Sequence, residues 1–145
     1  MIPSYILISI LFISRRHFSV LDELYKTEDV EDSYSADAKI QKVLSETFLH
    51  CGELRSVLQH LHRQDFLPEP KLVNLIFEQC HHLNDLPLAL RFMESIHVKC
   101  GKKHNYLYQY IMKETTACRR KLGIPTIEEL EYNTPHIFID DSEGH

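Results

Sequence analysis

Residues 54–61 (LRSVLQHL) and residues 89–96 (ALRFMESI) lie 35 positions apart in the sequence. In both segments the apolar residues recur three and four positions apart, which is the spacing of one face of an α-helix. Superposition at this offset pairs Leu54, Val57, Leu58 and Leu61 with Ala89, Phe92, Met93 and Ile96. The two segments therefore indicate a repeated amphipathic helix.

A second pair of segments repeats at the same offset. Residues 72–76 (LVNLI) align with residues 107–111 (LYQYI), so that Leu72, Leu75 and Ile76 fall on Leu107, Tyr110 and Ile111. Two helices recurring every 35 residues indicate stacked helical hairpins, each of which covers an apolar face of its neighbour. The predicted fold is all-α, a right-handed α-superhelix of stacked helical hairpins, similar to tetratricopeptide repeats, with about five to six helices.

The first three predicted helices have recognisable boundaries. Ser35 precedes the first helix, whose apolar face is formed by Ile40, Val43, Leu44 and Phe48. The second helix is the one that carries residues 54–61. Pro70 suits the first turn of the third helix, where a missing backbone N–H does no harm.

Capping residues also delimit the later helices. Asp85, with Pro87 in the first turn, begins a fourth helix that Gly101 ends. A fifth helix is predicted from Asn105 to Leu122, with Tyr110 in the core and the neighbouring tyrosines at the surface or in an interface. In residues 126–130 (TIEEL), Thr126 and Glu129 match a capping box, which predicts a short sixth helix.

Length and composition limit the possible functions. The chain has 145 residues, enough for one domain of ordinary size, and its net charge is −5. Nucleic-acid binding depends on clustered cations, so this balance disfavours it. The four cysteines are widely spaced, which indicates free thiols rather than a disulfide framework. The four glycines do not form a phosphate loop, a nucleotide fingerprint or a nucleophile elbow.

The N-terminal segment resembles an organelle-targeting sequence. Its apolar run from Tyr5 to Ile13 is too short to cross a bilayer, and residues 1–18 contain no acid. The string RRHFS at 15–19 resembles the processing site of mitochondrial presequences, in which Arg16 and Phe18 precede a cleavage before Ser19. A secretion signal is the alternative, but its positive charge belongs before the apolar core rather than after it.

This interpretation divides the chain into four parts. Residues 1–18 are the presequence, 19–35 an acidic and flexible lead-in, 36–131 the helical domain, and 132–145 an extended tail.

Two cysteine and histidine groups raise the possibility of a metal site. They are Cys80, His81 and His82, and, further on, His97, Cys100 and His104. Both lack the paired Cys-x₂-Cys or His-x₃-His spacing of structural zinc sites, and His81 and His82 point in different directions from one helix. We therefore predict no metal or other cofactor, and a metal-dependent enzyme remains a weak alternative.

Five elements together, in one order, resemble the subunit Va family of mitochondrial cytochrome c oxidase. They are Pro68-Glu69-Pro70-Lys71, then Leu83-Asn84-Asp85, then Arg91 and Glu94, then His104, Tyr108, Tyr110 and Glu114, and finally LGIPTIEEL at 122–130. The resemblance spans about residues 36–131.

The resemblance implies a peripheral, non-catalytic subunit of the oxidase on the matrix side of the mitochondrial inner membrane. Haem and copper would be held by other subunits, this chain would have no transmembrane helix, and its partners would be other oxidase subunits, especially subunit IV. The residues expected in the structural and interface motif are Leu67, Pro68, Glu69, Pro70, Lys71, Asn84, Asp85, Arg91, Glu94 and Tyr108. Pro68-Glu69-Pro70 can also be explained simply as a tight turn between helices.

A pentatricopeptide-like RNA-binding protein of mitochondria is the alternative function, because its repeats have the same period. The acidic charge and the presence of only two repeats disfavour it, since RNA is recognised at one base per repeat along a longer array.

Overall fold

The computed structural model describes residues 33–131, with side chains from Asp37 onward. Within these residues the chain forms six α-helices and no strand, which confirms the all-α prediction. The helices are α1 (Ser33–Glu46), α2 (Cys51–Arg63), α3 (Pro70–His82), α4 (Leu86–Cys100), α5 (Asn105–Glu114) and α6 (Thr116–Leu122). The predicted presequence, most of the lead-in and the predicted tail lie outside the described residues.

The boundaries of α3 and α4 follow the predicted capping chemistry. Pro70 is the first residue of α3. At the start of α4, the Asp85 carboxylate accepts a hydrogen bond from the Leu88 N–H at 3.1 Å. Gly101 ends α4 with φ 61°, in a region of backbone conformation that glycine adopts without strain. Local sequence therefore determines where this central pair of helices begins and ends.

The predicted fifth helix is interrupted, so its prediction as one continuous helix was wrong. Thr115 separates α5 from α6, and its buried hydroxyl donates to the Ile111 carbonyl at 2.8 Å. The Thr116 hydroxyl donates to the Met112 carbonyl at 2.7 Å. Threonine hydroxyls compete with backbone N–H groups for carbonyls, and such back-bonding bends or ends helices. Gly123, with φ 71°, follows α6, whose last residue is Leu122, the predicted end of the fifth helix.

Where residues 126–130 were predicted to form a sixth helix, the structure has a turn at residues 127–131. The capping box itself is present: the Thr126 N–H donates to the Glu129 carboxylate at 2.9 Å, and the Glu129 N–H donates to the Thr126 hydroxyl at 3.1 Å. One turn of helix is costly to nucleate, and within the described residues no further turn follows to offset that cost. The two capping-box hydrogen bonds therefore stabilise a single turn rather than the start of a helix.

The apolar face of α1 differs from the prediction at both ends. Ile40 and Leu44 are buried as expected, but α1 begins at Ser33 rather than after Ser35. It ends at Glu46, before Phe48, whose side chain is 60% exposed and stacks on the His82 ring at 3.9 Å. Phe48 is therefore a surface residue.

Residues 35 positions apart in the two repeats are buried together. Leu54, Val57 and Leu61 of α2 are buried, as are their counterparts Ala89, Phe92 and Ile96 of α4. In the second helices the buried pairs are Val73 with Tyr108, Ile76 with Ile111, and Phe77 with Met112. The predicted core position of Tyr110 was wrong, since Tyr110 is 55% exposed and Tyr108 is 6% exposed.

Helix α3 is the centre of the packing. It packs against α1, α4 and α6, while α5 packs against both α4 and α6. The Phe77 ring of α3 meets the Phe92 ring of α4 edge to face, with centroids 6.3 Å apart. From α3 to α6, helices that follow one another along the chain pack together, and α3 also packs against α1 and α6, which are not its neighbours in the sequence. The right-handed path of the superhelix remains a prediction.

Gln79 of α3 is a buried polar residue that fixes the end of α1. Its side-chain amide donates to the Leu44 carbonyl at 3.0 Å and to the Thr47 carbonyl at 2.8 Å. Its side-chain oxygen accepts from the Leu49 N–H at 2.9 Å. A single glutamine therefore satisfies three backbone groups where the chain leaves α1 and approaches α2.

Candidate partner-binding groove

A groove of about 820 Å³ lies along α2 and α4. We call it the arginine groove, and its principal lining residues are Arg55, Leu58, Arg63, Asp85, Leu88 and Arg91. Both helices present a row of side chains at four-residue spacing, and such residues share one helix face. On α2 the row is Arg55, Gln59 and Arg63, and on α4 it is Pro87, Arg91 and Ser95.

One end of the arginine groove contains an ion pair. The Arg55 guanidinium lies 3.3 Å from the Asp85 carboxylate, whose other oxygen caps α4. The Arg55 side chain is 59% exposed, so the pair contributes little to stability. Its structural effect is to connect the start of α4 to the first half of α2.

The other two arginines of the groove are exposed. Within the described residues, Arg63 and Arg91 make no ion pair, whereas Arg55 is already paired with Asp85. The groove therefore carries more positive than negative charge on a chain whose net charge is −5. Guanidinium groups bind carboxylates through two parallel hydrogen bonds, so this surface suits an acidic ligand.

Lys99 fixes the turn that follows α2. Its ammonium group donates to the carbonyls of Leu61, Gln64 and Phe66, the last two at 2.8 and 3.3 Å. Burial lowers the pKa of Lys99, and the nearby negative charges of Asp65 and Asp37 act in the opposite direction. The lysine therefore connects the end of α4 to the end of α2 and holds that end of the groove in place.

Residues 64–69 connect α2 to α3, and they include Pro68 and Glu69, whereas Pro70 begins α3. Pro68 is buried and Leu67 half-buried, whereas Glu69 and Lys71 are exposed. The Gln41 amide of α1 donates to the Glu69 carboxylate at 3.3 Å. These contacts agree with the simpler explanation of the segment as an inter-helix turn, and they leave the Lys71 side chain on the surface.

Asp37 of α1 lies buried near the same turn. Burial raises its pKa above the ordinary aspartate value, although the Glu69 N–H and the Lys99 charge act in the opposite direction. Its Oδ1 atom has no hydrogen-bond partner among the described residues. The Asp37 carboxyl thus lies close enough to Glu69 and Lys99 for both to influence its pKa.

The structure brings only two of the residues in the predicted motif into the arginine groove, namely Asp85 and Arg91. Asn84 is exposed, with φ 54°, immediately before the cap of α4, and Glu94 is exposed on α4 but does not line the groove. Arg16, Phe18 and Ser19 lie outside the described residues.

Tyr108 is a core residue, so its predicted surface position was wrong, whereas its place in the structural and interface motif remains a prediction. Its side chain is 6% exposed, and its ring centroid lies 4.7 Å from that of His97. Burial raises the pKa of Tyr108 to about 12. Residue 108 therefore packs α5 against α4.

Arg55, Arg63 and Lys99 were missed by the sequence analysis. For the two arginines a signal existed, because cations eight positions apart lie on one face of a helix. For Lys99 no local signal existed, since its three carbonyl partners are more than 30 positions away in the sequence.

The two cysteine and histidine groups do not assemble in the structure. Among residues 33–131, no three His, Cys, Asp or Glu side chains lie close enough together to hold a metal ion. His82 stacks on Phe48, and burial raises the pKa of the Cys80 thiol to about 12. The described part of the chain also contains no helix long and apolar enough to span a membrane.

The chain is similar to named proteins over most of its described length. The family model described as cytochrome c oxidase subunit Va matches residues 28–132. Relatives named "Cytochrome c oxidase subunit 5A, mitochondrial" include those of Caenorhabditis elegans, 40% identical over 93 residues, Drosophila melanogaster, 32% over 116 residues, and Rattus norvegicus, 33% over 94 residues.

The alignments cover different shares of each chain. They include 63%, 80% and 65% of this chain, and 53%, 76% and 64% of the three relatives in the same order. The chain thus spans about half the length of the nematode relative. The family match includes all six described helices, among them the two that form the arginine groove. By this match over residues 28–132, the chain belongs to the cytochrome c oxidase subunit Va family.

Proposed function

We propose that this protein is a peripheral, non-catalytic subunit of mitochondrial cytochrome c oxidase, respiratory complex IV. The match of residues 28–132 to the subunit Va family is the observation that carries the proposal. The relatives' names place those proteins in mitochondria, which agrees with the presequence-like string at 15–19. Electron transfer from cytochrome c to oxygen would take place on haem and copper in other subunits, and this chain would support their assembly.

The described helices are suited to binding another protein. Their apolar stripes are used to pack α1 to α6 together, and the exposed arginines of the groove provide a polar docking surface. We place the protein on the matrix side of the inner membrane, against subunit IV and other oxidase subunits, because the family resemblance implies these neighbours. Its net charge of −5 would favour contact with basic surfaces, and salt would weaken that contact.

We expect a tagged copy of the full chain to co-purify with the oxidase from mitochondria in mild detergent. The purified complex should show haem absorbance and contain copper, and depletion of the protein should lower assembled oxidase and oxygen consumption while mitochondrial transcripts stay intact. The comparison is a depletion strain rescued by the untagged chain, which should restore oxygen consumption.

The pentatricopeptide-like alternative predicts different results from the same experiment. An RNA would be lost or misprocessed before oxidase levels fall, and direct RNA binding would weaken steeply as salt rises. Recovery of the tagged protein with RNA and without oxidase would refute the proposed function.

We also expect the mature protein from mitochondria to begin at Ser19 or within one or two residues of it. Arg16 and Phe18 provide the cleavage signal, so Arg16→Ala should shift or slow the cleavage, whereas Arg15→Ala should have less effect. N-terminal sequencing measures the start. Mature protein that retains Met1, or secreted protein with paired cysteines, would contradict the organelle assignment.

A further inference from the structure

We propose that the arginine groove binds an acidic, partly apolar segment of another oxidase subunit. The inference rests on the proposed function and adds to it the site of contact and the chemistry of the partner. Its first basis is charge. Arg55 is already paired with Asp85, whereas Arg63 and Arg91 are exposed and make no ion pair among the described residues. Both guanidinium groups are therefore available to carboxylates of a partner.

The second basis is the apolar floor of the groove. Leu58 and Leu88 are half-buried, and Phe92, which also lines the groove, is 5% exposed. An apolar strip between cations matches a partner that offers apolar side chains toward the floor and carboxylates toward the sides. Arginine is enriched in protein interfaces and among the residues that dominate binding energy.

The third basis is the length of the groove. Arg55 and Arg63 are eight residues apart on α2, which corresponds to about 12 Å along a helix. That distance accommodates about two turns of a partner helix or roughly four residues of extended chain. The arginines are spread along this length instead of converging on one point, so the groove favours a polypeptide over a small anion.

The positive charge of the groove favours a partner segment that carries carboxylates. Within the Arg55–Asp85 pair, a carboxylate already contacts an arginine of the groove at 3.3 Å, and the same contact is open to a partner at Arg63 and Arg91. Residues 19–32 of this chain are also rich in carboxylates, so they are an alternative occupant of the groove. The experiment below separates the two sources, because cross-linked peptides carry their own sequence.

The test places a photo-reactive benzoylphenylalanine at Gln59, which lines the groove, in the tagged full chain assembled into the oxidase. After irradiation of the detergent-purified complex, mass spectrometry identifies the cross-linked peptides. The same probe at Gln109, exposed on α5, is the control. We expect Gln59 to cross-link to an acidic segment of another oxidase subunit, at a yield well above that from Gln109.

Two double variants test the role of charge. The double variant Arg63→Glu, Arg91→Glu should lower the cross-link yield about tenfold, whereas Arg63→Lys, Arg91→Lys should retain most of it. Both variants should fold, as expected for exposed positions, and circular dichroism melts measure whether they do.

Each remaining outcome counts against a specific claim. Cross-links to residues 19–32 of the same chain, a yield equal to that of Gln109, or a yield unchanged by charge reversal would refute binding of a partner in the groove while leaving oxidase membership intact. Absence of the wild-type chain from the purified complex would instead refute the proposed function.

Discussion

Replacing Met93 by Ala is expected to lower the free energy of unfolding by about 2–5 kcal/mol, the range of buried large-to-small substitutions. Met93 is 0% exposed in the middle of α4, so the truncation leaves a cavity that the neighbouring side chains fill only in part. Urea denaturation of the mature chain, followed by circular dichroism, measures the change.

Leu58 supplies a matched comparison, because it occupies the position of Met93 in the preceding repeat. Its side chain packs against the core but is only half-buried at the edge of the arginine groove. Leu58→Ala should therefore cost about half as much as Met93→Ala, since less apolar area returns to water. Equal losses at the two positions would mean that the two helices are buried to the same depth, contrary to the structure.

The helix boundaries could be predicted where a local side chain determines them. Asp85, Pro70 and Gly101 each act through a bond or a backbone angle within a few residues, and all three predictions were confirmed. The break at Thr115 also has a local cause, because its hydroxyl donates to the Ile111 carbonyl. That threonine could have been recognised, since buried threonines in helices commonly bond in this way.

The face that α5 buries could not be predicted from its own sequence. Tyr106, Tyr108 and Tyr110 are chemically identical, and the repeat alignment, which pairs Tyr110 with Leu75, selected the wrong one for the core. Packing against α4 determines which tyrosine is buried. The Tyr108 ring contacts the His97 ring, and Tyr106 and Tyr110 remain 63% and 55% exposed. The selection depends on a contact between two helices, which the order of residues within α5 does not contain.

The candidate site could be predicted only in part, because it too depends on contacts between helices. Asp85 and Arg91 were identified through the family resemblance, but the arginines opposite them lie about 30 positions earlier on α2. Only the stacking of α2 beside α4 brings the two rows together. Turn chemistry and periodicity therefore predict the elements, whereas the groove between them arises from their packing.

Replacing Gln79 by Leu is expected to lower the free energy of unfolding by about 2–4 kcal/mol, although leucine is similar in size and more apolar. The loss arises because the Leu49 N–H and the carbonyls of Leu44 and Thr47 lose their partner. Two of these three bonds are buried, and water cannot replace the glutamine there without opening the junction between α1 and α3.

Two further variants separate the hydrogen bonds of Gln79 from its shape. Gln109→Leu makes the same chemical change on the exposed face of α5 and should alter the free energy of unfolding by less than about 0.5 kcal/mol. Gln79→Glu keeps the acceptor for the Leu49 N–H but, when ionised, removes both donors and buries a charge, so its loss should shrink as falling pH protonates the carboxyl. A Gln79→Leu variant as stable as the unmodified protein would show that α1 is held by apolar packing alone.

The three bonds predict instead that, in the Gln79→Leu variant, α1 separates from α3 before the rest of the core unfolds. In this variant, hydrogen exchange of the backbone amides in Ser33–Glu46 should therefore accelerate before exchange in Pro70–His82.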